Sequence, residues 1–313
     1  MKKILFFNIL LFFIIFSYSL KIGVLMPFAA KEDPTFGYMV RSGIQSFSDN
    51  YKNIDIEYVY PDKNTSFNAY VKYFSVDCDI IIGAGFMYRE AIQNEASRNL
   101  LKKYILIDNS LDLPNVMSIV FDDYQAAFLA GAMTGSFFKN WNPGFIGPQD
   151  SYLSDKFYYG FQAGLTYSEF KGKIPRLNIS RTIVGFVNPQ KAYNEADYLF
   201  KNGIDVIFAP CGGSAIGVLK AALKNEKYII GTDRDFSLIS EKGVVFSLAK
   251  RIDTILYKTL YKIVIEKEFV GGIYNYDLSN GGYEVSNLDG LDRIYGYRKI
   301  NWVKETIDML TKK

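Results

Sequence analysis

Histidine is absent from the 313 residues of this chain. That excludes triads built on imidazole, histidine-ligated metals and the commonest general base. Cysteine is nearly absent: Cys78 and Cys211 stand far apart, beside the apolar runs Ile80 to Ile82 and Val206 to Ala209. No cysteine cluster has metal-ligand spacing. Two buried free thiols are expected; a disulfide between them would lock together any two lobes that carried them. Strong charge is missing too, and a net charge of +3 gives no electrostatic support to a nucleic-acid role. After residue 19 no apolar run reaches the roughly 20 residues that span a bilayer.

What is present is a globular composition, 49% hydrophobic and 22% charged, long enough for two domains. The 24 Tyr and 25 Phe are scattered along the whole chain, so most must serve packing. Residues 1–19 read as a targeting segment: Lys2 and Lys3, an apolar run from Ile4 to Phe16 broken only by Asn8, then Ser17-Tyr18-Ser19 before a cut ahead of Leu20. An uncleaved N-terminal anchor is the alternative. No cysteine sits at the cut, so anchoring through a lipidated N-terminal Cys is not expected, and the protein is read as exported.

From Leu20 onward, strand and helix signals alternate. The first strand, Lys21–Met26, leads to Asp33-Pro34-Thr35-Phe36-Gly37. Asp33 suits a helix N-cap and Pro34 the first helical position. Phe36, Val40, Ile44, Phe47 and Tyr51 follow at helical spacing. A ring, free amides and a positive dipole end therefore meet at the rim of a sheet. Phe36 reads equally as a ligand-facing ring or as core. Further strands are expected at Ile54–Tyr60, Ile80–Ile82, Tyr104–Ile107 and Val116–Phe121, and the pattern restarts after Asp122. The second run includes strands at Arg181–Val184, Asp205–Ala209, Tyr228–Ile230 and Val244–Leu248, and a tail strand pair, Ile273–Asp277 with Gly282–Val285, around Ser279-Asn280-Gly281. A last helix runs from about Trp302 to Leu310. Short buried strands between helices mean mostly parallel sheets covered on both faces, here in two α/β lobes. The polar, aromatic and glycine residues gather at strand ends: Phe36, Gly85-Phe86, Asp108, Asp123, Phe186, Gly212-Gly213 and Asp233. Ligands of such sheets bind there, which predicts one shared cleft.

No catalytic constellation emerges. Gly83-Ala84-Gly85 lacks the third glycine of a dinucleotide fingerprint, and Gly212-Gly213-Ser214 lacks the ending of a P-loop. The latter can present amides to ligand oxygens or can be a plain strand-to-helix turn. Asp233 and Asp235 have Arg234 and Lys250 to neutralise them, and no nucleophile with a base partner can be named. Lone carboxylates at strand ends fit hydroxyl recognition. Lys250 points into the cleft or into solvent.

These residues resemble the basic membrane protein group of substrate-binding proteins, the purine nucleoside receptors of bacterial ABC transporters. The matching blocks are Asp33-Pro34-Thr35-Phe36-Gly37 with Gly43, Asn115-Val116 through Phe121-Asp122-Asp123 to Gly131, Phe157 with Gly160-Phe161 and Gly164, and Gly185-Phe186-Val187-Asn188-Pro189. Asn202-Gly203 to Ile207 with Gly212-Gly213, then Gly231-Thr232-Asp233-Arg234-Asp235, then Ser247 with Lys250-Arg251 complete them. The resemblance implies a type 1 periplasmic-binding-protein fold that closes on its ligand like a clamp. Phe36 and Phe186 would sandwich a purine, Asp123 would accept from the base edge, and Asp233 and Lys250 would hold ribose hydroxyls beside the Gly212-Gly213 backbone. Met26-Pro27 stands where family members often carry an Asp, and Gly37 where an Asn is usual.

The expected division is residues 20–122 plus 244–273 in an N-terminal lobe and 123–243 plus 274–313 in a C-terminal lobe. The expected function is delivery of a nucleoside to the permease and ATPase of an ABC importer by a monomer that needs no cofactor and performs no catalysis. A sensor or adhesin on the same fold, and a nucleoside hydrolase, are the alternatives.

Overall fold

The computed structural model describes residues 19–28, 31, 33–61, 66–287 and 297–311. The targeting segment and most of the turn after Pro61 lie outside the described residues. The first sheet holds β1 (Leu20–Leu25), β2 (Ile54–Val59), β3 (Ile80–Ala84), β4 (Lys103–Ile107), β5 (Val116–Phe121) and β11 (Gly272–Tyr276), in the order β11-β5-β4-β3-β1-β2. The second holds β6 (Pro143–Gln149), β7 (Arg176–Ser180), β8 (Val206–Phe208), β9 (Tyr228–Thr232), β10 (Val244–Lys250) and β12 (Tyr283–Ser286), in the order β12-β10-β9-β8-β6-β7. Among the described residues the strand pairings are parallel except that of β10 with β12. The Ile-rich run of β3 is wholly buried, as a central parallel strand with helices on both faces requires.

The helices are α1 (Phe36–Asn50), α2 (Phe67–Asp77), α3 (Arg89–Ala96), α4 (Asp123–Phe137), α5 (Tyr152–Tyr167), α6 (Pro189–Lys201), α7 (Ala215–Lys224), α8 (Ile252–Val264) and α9 (Tyr297–Thr311). Helix α8 packs on α1, with Gly43 against the Asp253 backbone. Helix α9 packs on α4: Trp302 meets Phe137 edge-on at 5.3 Å, and the Gln125 amide donates to the Leu310 carbonyl.

Helices α4 and α5 run close together because both carry small residues on their shared face. A methyl group at Gly164 would stand 1.9 Å from the Phe128 carbonyl oxygen and 2.6 Å from the Ala132 nitrogen. Backbone cannot yield as a side chain does, so the two helices would have to separate. Gly164→Ala is expected to cost about 1–3 kcal/mol. The check is a urea melt, in which the midpoint falls at an unchanged slope.

Three expectations are corrected. Residues 244–250 belong to the second sheet, not to the first lobe: β10 pairs with β9, because a strand buried along its whole length needs a sheet interior and this one continues the parallel progression from β9. The tail strands form no hairpin. β11 joins β5 in the first sheet and β12 joins β10 in the second, so residues 274–276 also change lobes. The strand expected at Arg181–Val184 lies earlier, at Arg176–Ser180, and residues 183–187 form a short 3-10 turn. Gly185 presses there against the Pro148 carbonyl, an approach that an extended strand would break. The chain thus passes between the lobes three times, at Phe121–Asp123, Lys250–Ile252 and Asp277–Gly282.

Candidate functional site

The carboxyl ends of both sheets face one cleft. On the first-lobe side, Asp33 organises the start of α1. Its carboxylate accepts from the Thr35 amide at 2.9 Å, the Thr35 hydroxyl at 2.6 Å and the Gly37 amide at 2.6 Å. These bonds brace the turn in a register other than the expected one: the helix begins at Phe36 with Thr35 at the N-cap position, so Pro34 lies ahead of the first turn, and Asp33, two residues before the cap, satisfies one first-turn amide, that of Gly37. They also hold Phe36, the first helical residue, at the cleft wall. Gly85, at φ 123°, turns the chain after β3 and presents Phe86.

On the second-lobe side, Phe186 sits in the 3-10 turn of residues 183–187, its ring centroid 6.2 Å from that of Phe86. The Ser214 hydroxyl fixes this turn, donating to the Gly185 carbonyl at 2.7 Å and accepting from the Asn188 amide at 2.7 Å. Gly212 is required twice over: its φ is 58°, and a Cβ there would lie 3.1 Å from the Phe186 ring. A Cβ on Gly213 would lie 3.3 Å from the Asp33 carboxylate, so the lobes meet at this point.

Lys250 ends β10 and is 2% exposed. Its ammonium lies 3.0 and 3.2 Å from the two oxygens of Asp108 and 2.9 Å from Asp123. The Phe121 ring lies beneath it at 4.9 Å. Tyr283 donates its hydroxyl to Asp123. Asp108 and Asp233 follow β4 and β9, and both take left-handed backbone, φ 62° and 67°. An Asp tolerates that conformation better than most residues. Burial alone would lower the Lys250 pKa, but Asp108, Asp123 and Asp233 together hold it above the ordinary lysine range. Burial raises Asp233 to about 7 against the pull of Lys250, with Asp108, Asp33 and Asp123 adding to the rise. Burial likewise raises Asp108. The free thiols Cys78 and Cys211 are both buried, one in each lobe.

Of the residues singled out from sequence, Phe36, Phe186, Gly212, Gly213, Asp233 and Lys250 line this cleft together. Asp123 does not. It lines an adjoining compartment that shares Phe86, Asp108 and Leu153 with the cleft, and Lys250 and Tyr283 already engage it. Sequence reasoning gave no role to Phe86 or Asp108, although both stand at strand ends and were marked there. Phe157 of α5 also lines the cleft. Nothing separates it in sequence from a core ring at helical spacing. The arrangement offers rings, acceptors and one ammonium, and among the described residues no group of three acidic or cysteine side chains is placed to hold a metal. No described helix is long and apolar enough to cross a membrane.

Comparison with known proteins agrees with this architecture. The solute-binding protein of an ABC transporter system from Aeropyrum pernix K1 superposes with a TM-score of 0.79 over 93% of this chain and 85% of its own, at 20% identity, which speaks to the fold. Basic membrane protein A of Borreliella afzelii is 26% identical over 261 residues, 80% of this chain and 78% of that protein. Basic membrane protein D of Borreliella burgdorferi is 30% identical over 200 residues, 62% of this chain. The chain spans a little over half the length of basic membrane proteins D and B of that species, 58% and 53%. A family model described as "ABC transporter substrate-binding protein PnrA-like" matches residues 20–308. A two-lobed fold with mostly parallel sheets, a cleft at the strand ends and a match along almost the whole chain lead to one conclusion: the protein belongs to the PnrA-like family of ABC transporter substrate-binding proteins.

Proposed function

We propose that the protein binds a nucleoside, most readily a purine nucleoside, between its lobes and delivers it outside the cell to the permease and ATPase of an ABC importer. One observation carries this reading. Aromatic rings from both lobes, Phe36 and Phe86 from the first and Phe186 from the second, share a cleft with a carboxylate and an ammonium, Asp233 and Lys250. A flat base suits the rings, since stacking rewards planar, weakly hydrated surfaces. A ribose suits the polar end, because its hydroxyls donate to a carboxylate and accept from an ammonium. Closure needs no chemistry: a ligand touching both lobes shifts the population toward the closed form.

The experiment is a thermal-shift and calorimetric screen of nucleosides, free bases, sugars and amino acids. Stabilisation by inosine, guanosine or adenosine supports the reading, and stabilisation by sugars or amino acids alone removes the nucleoside from it. Phe36→Ala and Phe186→Ala are each expected to weaken nucleoside binding by about 1–3 kcal/mol. Unchanged affinity in both would return the rings to a packing role.

A further inference from the structure

We infer that Arg234 is a positioning residue that clasps the cleft shut and sets how long a bound ligand stays, without touching the ligand. The inference rests on the cleft being the binding site, and it concerns the lip rather than the floor. Arg234 directly follows Asp233. The left-handed turn at Asp233 and the bond from the Arg234 amide to the Thr232 carbonyl, 2.7 Å, send the two side chains different ways. Asp233 enters the cleft, and Arg234 reaches across to the other lobe. Its guanidinium lies 3.8 Å from the centroid of the Tyr38 ring, and its Nη1 donates to the Pro34 carbonyl at 3.2 Å.

Both targets belong to the segment that opens α1, and Phe36 lies between them in sequence. A ligand that draws Phe36 toward Asp233 therefore brings the clasp partners together by the same movement. In the first sheet, β4 and β3 separate β1 from the crossing strand β5, so this contact stands away from the inter-lobe passages at β5 and β11, while the third passage, at Lys250–Ile252, leads into α8, which packs on α1. The clasp is also balanced. The stacked cation and the charged hydrogen bond favour closure. Against them, the Arg234 Nε is buried with no partner, and opening would return it to water. These opposed contributions make a contact that can open and reclose. Lysine cannot replace it, having neither a planar face for the ring nor a fork for the carbonyl.

Two readouts test this. The first needs no ligand. Spin labels on Val76→Cys in the first lobe and Tyr198→Cys in the second, both exposed positions, report the inter-lobe distance, and the native cysteines are buried. Arg234→Ala, Arg234→Lys and Tyr38→Leu are expected to lengthen the distance distribution, while Tyr38→Phe keeps it. The second is stopped-flow binding of inosine. Dissociation is expected to quicken about tenfold in the three disrupting variants, with association within about twofold of the parent. Tyr38→Phe should again behave as the parent, which a general folding defect would not reproduce. If inosine does not bind, the proposed ligand fails and the distance measurement alone decides on the clasp. Unchanged distances in all variants would overturn the inference, as would inosine dissociation rates unmoved by Arg234→Lys and Tyr38→Leu.

Discussion

Lys250→Met is expected to destabilise the protein by about 3–5 kcal/mol at neutral pH and to abolish ligand binding. Methionine keeps an unbranched apolar stem of similar volume, so packing changes little, while the ammonium that lies over the Phe121 ring at 4.9 Å is lost. What goes is the only ammonium among the described residues within bonding distance of Asp108 and Asp123, and the counter-charge to Asp233, in a place where all three carboxylates are nearly buried. Removing one partner of a buried ion cluster costs far more than the cluster contributes, because the remaining charges cannot be rehydrated. The signature is its pH dependence. Carboxylates stripped of their cation take up protons, so the deficit should shrink when denaturant melts are repeated at pH 5 instead of pH 8. Adding Asp108→Asn to Lys250→Met should recover part of the loss, since asparagine accepts the left-handed backbone and carries no charge. A single variant within about 1 kcal/mol of the parent would mean that Lys250 turns to solvent.

Affinity for the nucleoside should fall about tenfold for each pH unit below 7, over at least one unit. Before ligand is added, Asp233 ionises at about 7 because it is buried, with Asp108, Asp33 and Asp123 nearby and Lys250 pulling the other way. The Cys211 thiol also faces it but is itself pushed far up by burial, so it stays neutral. Hydroxyl donors bind the ionised form better, so binding draws the Asp233 pKa down and expels a proton. Titrations at pH 6 in phosphate and in Tris, whose ionisation enthalpies differ, should show close to one proton released per ligand. Asp233→Asn should bind more weakly at pH 8 and lose the pH dependence. The fold responds in the opposite sense to most carboxylates. An unfolded Asp ionises near pH 4, roughly three units below folded Asp233. Between those values the folded protein holds a proton that the unfolded chain has given up, so this group's contribution to stability declines as pH rises from about 4 through 7. Affinity that stays flat from pH 5.5 to 8 would remove Asp233 as the hydroxyl acceptor.

The lobes and much of the site were legible in the sequence because their causes are local. Asp33 ahead of Pro34 marks a helix start whatever surrounds it, and the helix does begin there, two residues later than expected, with the Asp33 carboxylate accepting from the first-turn amide of Gly37. A run such as Ile80–Ile82 announces a strand with both faces covered, and the glycines that follow β3 and precede α7 take the left-handed turns that glycine permits. What escaped was pairing. An apolar strand such as Val244–Lys250 is equally at home in the interior of either sheet, and only its neighbours β9 and β12 decide. Ser279-Asn280-Gly281 suggests a hairpin turn, yet its flanking strands part to different sheets because each has an unpaired edge to fill, at β5 and at β10. Asp123 was placed by resemblance at the base edge, whereas Lys250 and Tyr283 hold it toward the inter-lobe passages. Arg234 showed nothing beyond a charge near Asp233, since its partners Tyr38 and Pro34 lie some two hundred residues away.

The exchange of strands near the end of the chain has a consequence for the order of folding. β11 completes the first sheet by pairing with β5 from Gly272↔Met117 to Tyr276↔Phe121, and α8, which covers α1, follows β10 of the second sheet along the chain. As the polypeptide emerges from the ribosome, neither lobe can finish early. The first waits for Tyr276 and the second for Ser286, with α9 still to dock on α4. Contacts so distant along the chain form slowly, because the loop between them must be closed before the pairing is rewarded. Neither sheet therefore reaches its native pairing before residues 272–286 have been made.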